Sequence, residues 1–293
     1  MTRFLRILKN ALLAALDHDV FNTAKAAAYS GMLCFFPAVL VASSLLARAP
    51  EGSRLMAELR GNFDEFLPAG SVILLNDSIT TKHMRSAQVL VSAATLAAFA
   101  GLGVMLSLME GFRRAYKIRR DSWGFWQKRA RALLLVPIVL VPLCLASLLL
   151  VFGRGIETWM IANADHELRR VVIFFWRLVR WIVSVMTSVT VLTALYHFGT
   201  RRKESWGWAL PGAVAASLIW FPATLAFGWY VTRVADYSRF YGSFAAGIAT
   251  LVWLYMTSFS ALLGAEFNGM MFQSRQERLA EACSNADAAP WRS

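Results

Sequence analysis

The stretch "FAAGIATLVWLYMTSFSALLGAEFNGMMF" (Phe244–Phe272) decides the fold class. From Phe244 to Ala265 it carries no charge, then Glu266 appears, and apolar residues resume as far as Phe272. As a helix the run advances roughly 33 Å between Phe244 and Glu266, slightly more than the ~30 Å hydrocarbon layer of a bilayer. A charge-free run of that length reads as a membrane span with a carboxylate near one end.

Five further runs of the same kind follow from the pattern: Ala26–Leu46, Ala87–Met109, Ala132–Phe152, Trp176–Phe198 and Trp208–Val231. Composition agrees. The chain of 293 residues is 57% hydrophobic and 16% charged, against roughly 25% charged in a soluble domain. The expected fold is all-α: a polytopic membrane protein built as a six-transmembrane-helix bundle with interfacial amphipathic helices. Its expected parts are a cytoplasmic amphipathic N-terminal helix over 1–25, a membrane domain over 26–272 and a short disordered cytoplasmic tail over 273–293.

The N-terminal helix is read from Phe4, Leu5, Leu8, Leu12 and Leu16, which recur at helical spacing, with Arg3, Arg6, Lys9 and Asn10 between them. That pattern suits a helix lying on a membrane surface. The uncharged run Ala11–Leu16 is too short for a signal peptide, and Asp17 ends it. The connection Ala47–Ser86 is long and contains "SRLMAELRGNFDEFLP", whose apolar spacing suits a second surface helix.

The formal net charge of +12 could point to nucleic acid, but the Lys and Arg residues sit in short connections beside the apolar runs. That placement is topogenic. The segment Met1–Lys25 has four such residues, Glu110–Arg131 has eight, Gly199–Ser205 has three and the tail has three. The connections on the opposite side carry 12 spread over longer segments. Both termini are therefore expected in the cytoplasm of a bacterium, with the chain crossing its inner membrane several times.

Small residues mark helix contacts. Ala93, Ala97 and Gly101 form one ridge, and Gly212, Ala213, Ala216 and Ser217 another. Pro37, Pro137, Pro142, Pro211 and Pro222 fall in or at spans and can kink them. Cys34, Cys144 and Cys283 have no CxxC spacing, and His18, His83, His166 and His197 form no HxH or HExxH pattern. No metal and no cofactor are expected.

Three groups could carry chemistry. The first is Glu266 with Asn268, at the cytoplasmic end of the last span. Two readings stay open: an interfacial carboxylate paired with Arg113 or Arg114, or a carboxylate lining a polar pathway. Tyr29 joins this group because its hydroxyl lies early in the first span and needs a partner. The second is the basic segment "EGFRRAYKIRRDSWGFWQKRARA" (Glu110–Ala132), where Lys117, Arg119, Arg120, Lys128, Arg129 and Arg131 alternate with aromatic residues. Tethered by spans on both sides, it is expected to meet anionic lipid headgroups, not nucleic acid. The third is "ADYSRFYGSF" (Ala235–Phe244), a short outer turn in which Asp236, Arg239, Tyr241, Gly242 and Ser243 are candidates for an outer gate.

These segments resemble the YihY/BrkB family of bacterial inner-membrane proteins. The resemblance rests on "AAAYSGMLCFFPAVL" with its Phe36-Pro37 pair, on "RRAYKIRRDSWGFWQKRARAL", and most closely on "PGAVAASLIWFPATLAFGWYV" and "YGSFAAGIATLVWLYMTSFSALLGAEFNG". It covers about Ala24 to Met271; "HFGTRRKESW" departs from it in lacking a proline before the fifth span. The resemblance implies about six helices in an inner membrane and no settled activity. Members have carried the label "ribonuclease BN" and a virulence-factor label. RNA hydrolysis generally needs a metal cluster or a positioned acid/base pair, and the isolated histidines and scattered carboxylates offer neither. The expected function is that of a non-enzymatic transporter or channel-like protein for a lipid, ion or small solute. The alternative is a scaffold that binds anionic lipid or a partner protein through its basic segment. Self-association as a homo-oligomer is compatible with either.

Overall fold

A computed structural model describes residues 2–46, 87–118, 123–142, 145, 169–200, 206–233 and 244–287. Those residues form α1 (Thr2–Asp17), α2 (Val20–Leu46), α3 (Ala87–Ala115), α4 (125–142), α5 (Arg169–Gly199), α6 (Trp206–Arg233) and α7 (Ala245–Asp287), and no strand. All-α is the fold class. Among the described residues five helices are long and apolar enough to cross a membrane: α2, α3, α5, α6 and α7. The expected third span corresponds to α4, whose continuous described helix ends at 142, so a sixth crossing is not counted.

The helices alternate in direction, as side-chain register shows. Along α2 and α3, Cys34 Sγ meets the Ala97 carbonyl and Ser30 faces Gly103, while Thr23 faces Gly111. Along α2 and α7, Gly31 meets Leu254, the Phe21 and Phe259 rings lie 5.0 Å apart, and His18 meets Glu266. Along α6 and α7, Trp220 Nε1 donates to Thr257 Oγ1 (3.0 Å) and Gly212 meets Gly264. One end of the bundle therefore gathers the start of α2, the ends of α3 and α5, the start of α6 and the later part of α7. α7 is the most enclosed span and packs on α6, α2, α1 and α3.

Burial is concentrated at that end. Phe112, Tyr196, Leu262 and Ala213 are fully buried there. Elsewhere the outward faces are apolar: Phe99, Phe174, Leu218 and Trp229 are all more than half exposed, as lipid-facing side chains are. The small residues do what their spacing suggests. A Cβ at Gly264 would lie 2.5 Å from the Gly212 carbonyl oxygen and 2.5 Å from the Tyr196 hydroxyl, so α6 and α7 approach at backbone distance.

Three boundaries differ from the sequence expectation. The N-terminal segment is not one helix over 1–25: α1 stops at Asp17, and α2 starts the first span at Val20. Asp19 takes a left-handed backbone (φ 57) and makes the break, a conformation Asp tolerates. α1 also does more than rest on a surface, since Ala11 is buried against Ala215 and Phe267. The basic segment is mostly helical, because α3 extends to Ala115 and α4 starts at 125. Finally, α7 continues to Asp287, so residues 273–287 are helical where a disordered tail was expected.

Candidate functional site

The break between α1 and α2 builds the site. His18 N–H still bonds the Ala14 carbonyl (2.8 Å), closing α1. Asp19 then caps α2: its carbonyl accepts from Thr23 N–H (3.1 Å) and from the Thr23 hydroxyl (3.0 Å), and its carboxylate accepts from Asn22 Nδ2 (2.6 Å). With both helix ends fixed on either side of it, the His18 ring points at α7. There its Nδ1 lies 2.9 and 3.0 Å from the two oxygens of Glu266. Both distances are those of a hydrogen bond between the ring nitrogen and the carboxyl group. Glu266 is 1% exposed and His18 20%.

The carboxylate expected to pair with Arg113 or Arg114 therefore pairs with His18. The reason lies on α3. Glu110 sits three and four residues before the two arginines, on the same helix face. Arg113 Nη2 donates to it at 2.6 Å, and Arg114 Nε lies 3.5 Å from it. Arg114 turns its remaining reach to the α1–α2 break, 3.5 Å from the Asp19 carboxylate and 3.5 Å from the His18 carbonyl oxygen. The arginines thus hold the backbone beside the pair without joining it. His18, Glu110 and Asp19 were not singled out from the sequence, and His18 is not an isolated histidine.

Asn268, two residues beyond Glu266, binds backbone on α6. Its Oδ1 accepts from Gly212 N–H (2.7 Å) and its Nδ2 donates to the Ala209 carbonyl (3.0 Å). These groups flank Pro211, which has no N–H to give the helix ladder. Tyr29 is 65% exposed on the outside of α2. It lies ~14 Å along that helix from its start and is not brought to the buried pair.

α3 ends in a tight cap. Lys117 has φ 49, Lys117 N–H bonds the Arg114 carbonyl (2.9 Å) and Ile118 N–H bonds the Arg113 carbonyl (3.0 Å). That is the double hydrogen bond of a left-handed helix stop, usually made by glycine. The cap projects Lys117 toward α7, where Nζ donates to Gln273 Oε1 (3.1 Å). Of the other basic residues, Lys128 reaches Glu110 (3.5 Å), the Arg129 guanidinium sits 3.5 Å from the Phe125 ring centre, and that of Arg131 4.9 Å from the Trp123 ring centre. Arg119 and Arg120 lie outside the described residues, as do all five outer-gate candidates, Asp236, Arg239, Tyr241, Gly242 and Ser243.

An open cavity of about 370 Å³ lies over this cluster, lined by Asp17, His18, Asp19, Arg113, Arg114, Lys117 and Ile118. His18 is thus a wall of the cavity on one side and the partner of a buried carboxylate on the other. Among the described residues no group of three or more His, Cys, Asp or Glu side chains could hold a metal ion.

The family described as "Virulence factor BrkB" matches residues 11–289. The chain belongs to the BrkB family. Among relatives, the ribonuclease-like protein YfkH of Bacillus subtilis (strain 168) is 26% identical over 88% of this chain and 92% of its own length. A UPF0761 membrane protein of Chromohalobacter salexigens is 26% identical over 94% of this chain, but that covers only 65% of the relative. A UPF0761 membrane protein of Mannheimia succiniciproducens, MS0032, is 23% identical over 88% of this chain and 87% of its own. No solved structure matches the chain. Both the His18–Glu266 pair and the small-residue seam fall inside the matched region.

Proposed function

We propose that this integral membrane protein of the BrkB family is a non-enzymatic transporter or channel-like protein for a lipid, ion or small solute. The observation that carries the reading is the link between the open cavity and the buried Glu266 through His18. A charge inside a membrane bundle is costly, and such groups mark pathways more often than packing. Here the buried carboxylate has one exchangeable partner, and that partner touches the cavity. The end of the bundle bearing this cavity faces the cytoplasm of a bacterial inner membrane, with both termini on that side; the density of Lys and Arg in its short connections supports this.

The test is flux in vesicles reconstituted with the full chain, using an imposed proton gradient, a potassium gradient and a fluorescent phospholipid as three separate probes. At least one probe moves faster than in empty vesicles, and Glu266→Gln abolishes that movement while the protein still inserts. If all three match empty vesicles, the transport reading fails.

One observation favours a second reading, a scaffold bound to anionic lipid. The start of α4 carries exposed Phe125 and Trp126 beside Arg129, stacked on Phe125, the makeup of a headgroup-level belt.

A further inference from the structure

The cavity beside His18 has an uneven charge balance that points to a ligand. Most of its charges have partners. Arg113 is held by Glu110, Arg114 lies between Glu110 and Asp19, and His18 is taken by Glu266. Two wall residues face no opposite charge at ion-pair distance among the described residues: the carboxylate of Asp17 and the ammonium of Lys117. Lys117 donates only to the neutral side chain of Gln273. Asp17 closes α1 and Lys117 caps α3, so the two charges are brought to the cavity by different helices.

From this we infer that the cavity binds an amine-bearing phosphodiester, the chemistry of a phosphoethanolamine headgroup. A plain anion would meet the Asp17 carboxylate, and a plain cation would meet Lys117 and Arg114. A dipolar ligand satisfies both walls. Its phosphate oxygens accept from Lys117 and from Arg114, and such charge-assisted bonds are the strong ones. Its primary ammonium donates N–H to Asp17, which a quaternary ammonium cannot do. The ligand could come from the bilayer or from water. Leu13, Leu16 and Phe21, close in sequence to the wall residues Asp17–Asp19, are exposed, so apolar surface is available to an acyl chain, and the lipid is the favoured source. The inference rests on the transport reading only for its purpose: it names the substrate class of that site, and binding is measured without flux.

The experiment uses the full chain purified in detergent and four probes in binding titrations: dihexanoyl phosphatidylethanolamine, dihexanoyl phosphatidylcholine, dihexanoyl phosphatidylglycerol and glycerophosphoethanolamine. Phosphatidylethanolamine binds about tenfold more tightly than the choline or glycerol lipid. Lys117→Gln weakens it by a similar factor, and Asp17→Asn removes the preference over phosphatidylglycerol. Both residues are exposed, so neither change threatens folding, and unchanged helical content checks this. If glycerophosphoethanolamine binds as well as the lipid, the site takes the water-soluble ester; if it binds more weakly, the site takes the lipid. Equal binding of all three lipids, or a preference that survives Asp17→Asn, overturns the inference. Binding without flux would instead overturn the transport reading and leave the site standing.

Discussion

At the scale of single residues, the buried pair and the Asn268 clamp make distinct predictions. Removing one partner of a buried ion pair leaves the other charge uncompensated, at a cost of about 3–5 kcal/mol. His18→Ala should therefore lower thermal stability in detergent sharply, because Glu266 stays buried. The double replacement His18→Leu with Glu266→Leu should recover most of that loss, since apolar side chains of similar volume fill the space without charge. If the double variant is no more stable than His18→Ala, the two residues are not coupled in this way. Asn268→Ala removes the side-chain clamp on the Gly212 N–H and the Ala209 carbonyl and should cost about 1–3 kcal/mol, read from the same melting curves. Glu266 and Asn268 stand out in the sequence because polar groups in a long apolar run are conspicuous. The partner of Glu266 does not stand out. His18 is 248 positions away, and charge alone favours the arginines, which Glu110 already occupies on their own helix. Asn268 had a visible residue type but an invisible role, because backbone groups beside Pro211 leave no mark on any other side chain.

At the scale of the element, glycines separate close packing from open lipid face. At Gly264 a methyl group would meet the Gly212 carbonyl and the Tyr196 hydroxyl, both 2.5 Å away, and the Ala216 side chain at 2.7 Å. Backbone cannot step aside as a side-chain tip can. Gly264→Ala should force α6 from α7 and cost about 3 kcal/mol or more. Gly207 and Gly228 have nothing within 4 Å of the same position, so alanine there should be neutral or stabilising by about 0.5–1 kcal/mol. Equal melting temperatures for Gly264→Ala and Gly228→Ala would show that the α6–α7 seam is not tight. The stripe Gly212, Ala213, Ala216 and Ser217 was legible because small residues at helical spacing have few other uses in a membrane. The break at His18–Asp19 was not. No glycine or proline punctuates "ALDHDVFN", and the turn depends on Asp19 taking a left-handed backbone that many sequences with Asp never adopt. The same holds for Lys117, which caps α3 at a position where glycine is the usual signal.

At the scale of the whole molecule, the spans were readable because length and hydropathy alone define them, whereas the site depends on which ends meet. Alternating helix directions bring the α1–α2 break, the Arg113–Lys117 turn, the end of α5, the start of α6 and the later part of α7 to one end, and most of the buried side chains among the described residues lie there. The proposed orientation, read from Lys and Arg density, puts this end in the cytoplasm, and it has a direct test. Alkaline phosphatase works only outside the inner membrane. Fusions placed after Ile118 and after Asp287 should be inactive, and a fusion after Arg233 should be active, because α6 runs from the shared end to the opposite one. The reverse pattern would turn the cavity outward and remove any contact of its lysine and arginines with cytoplasmic lipid. Activity after both Ile118 and Arg233 would contradict the antiparallel order itself, since α3 ends where α6 begins. The expected pattern would place the open cavity, the Glu266–His18 pair and the basic start of α4 on the anionic leaflet, where each Lys or Arg near the surface gains about 1 kcal/mol of attraction to the lipid.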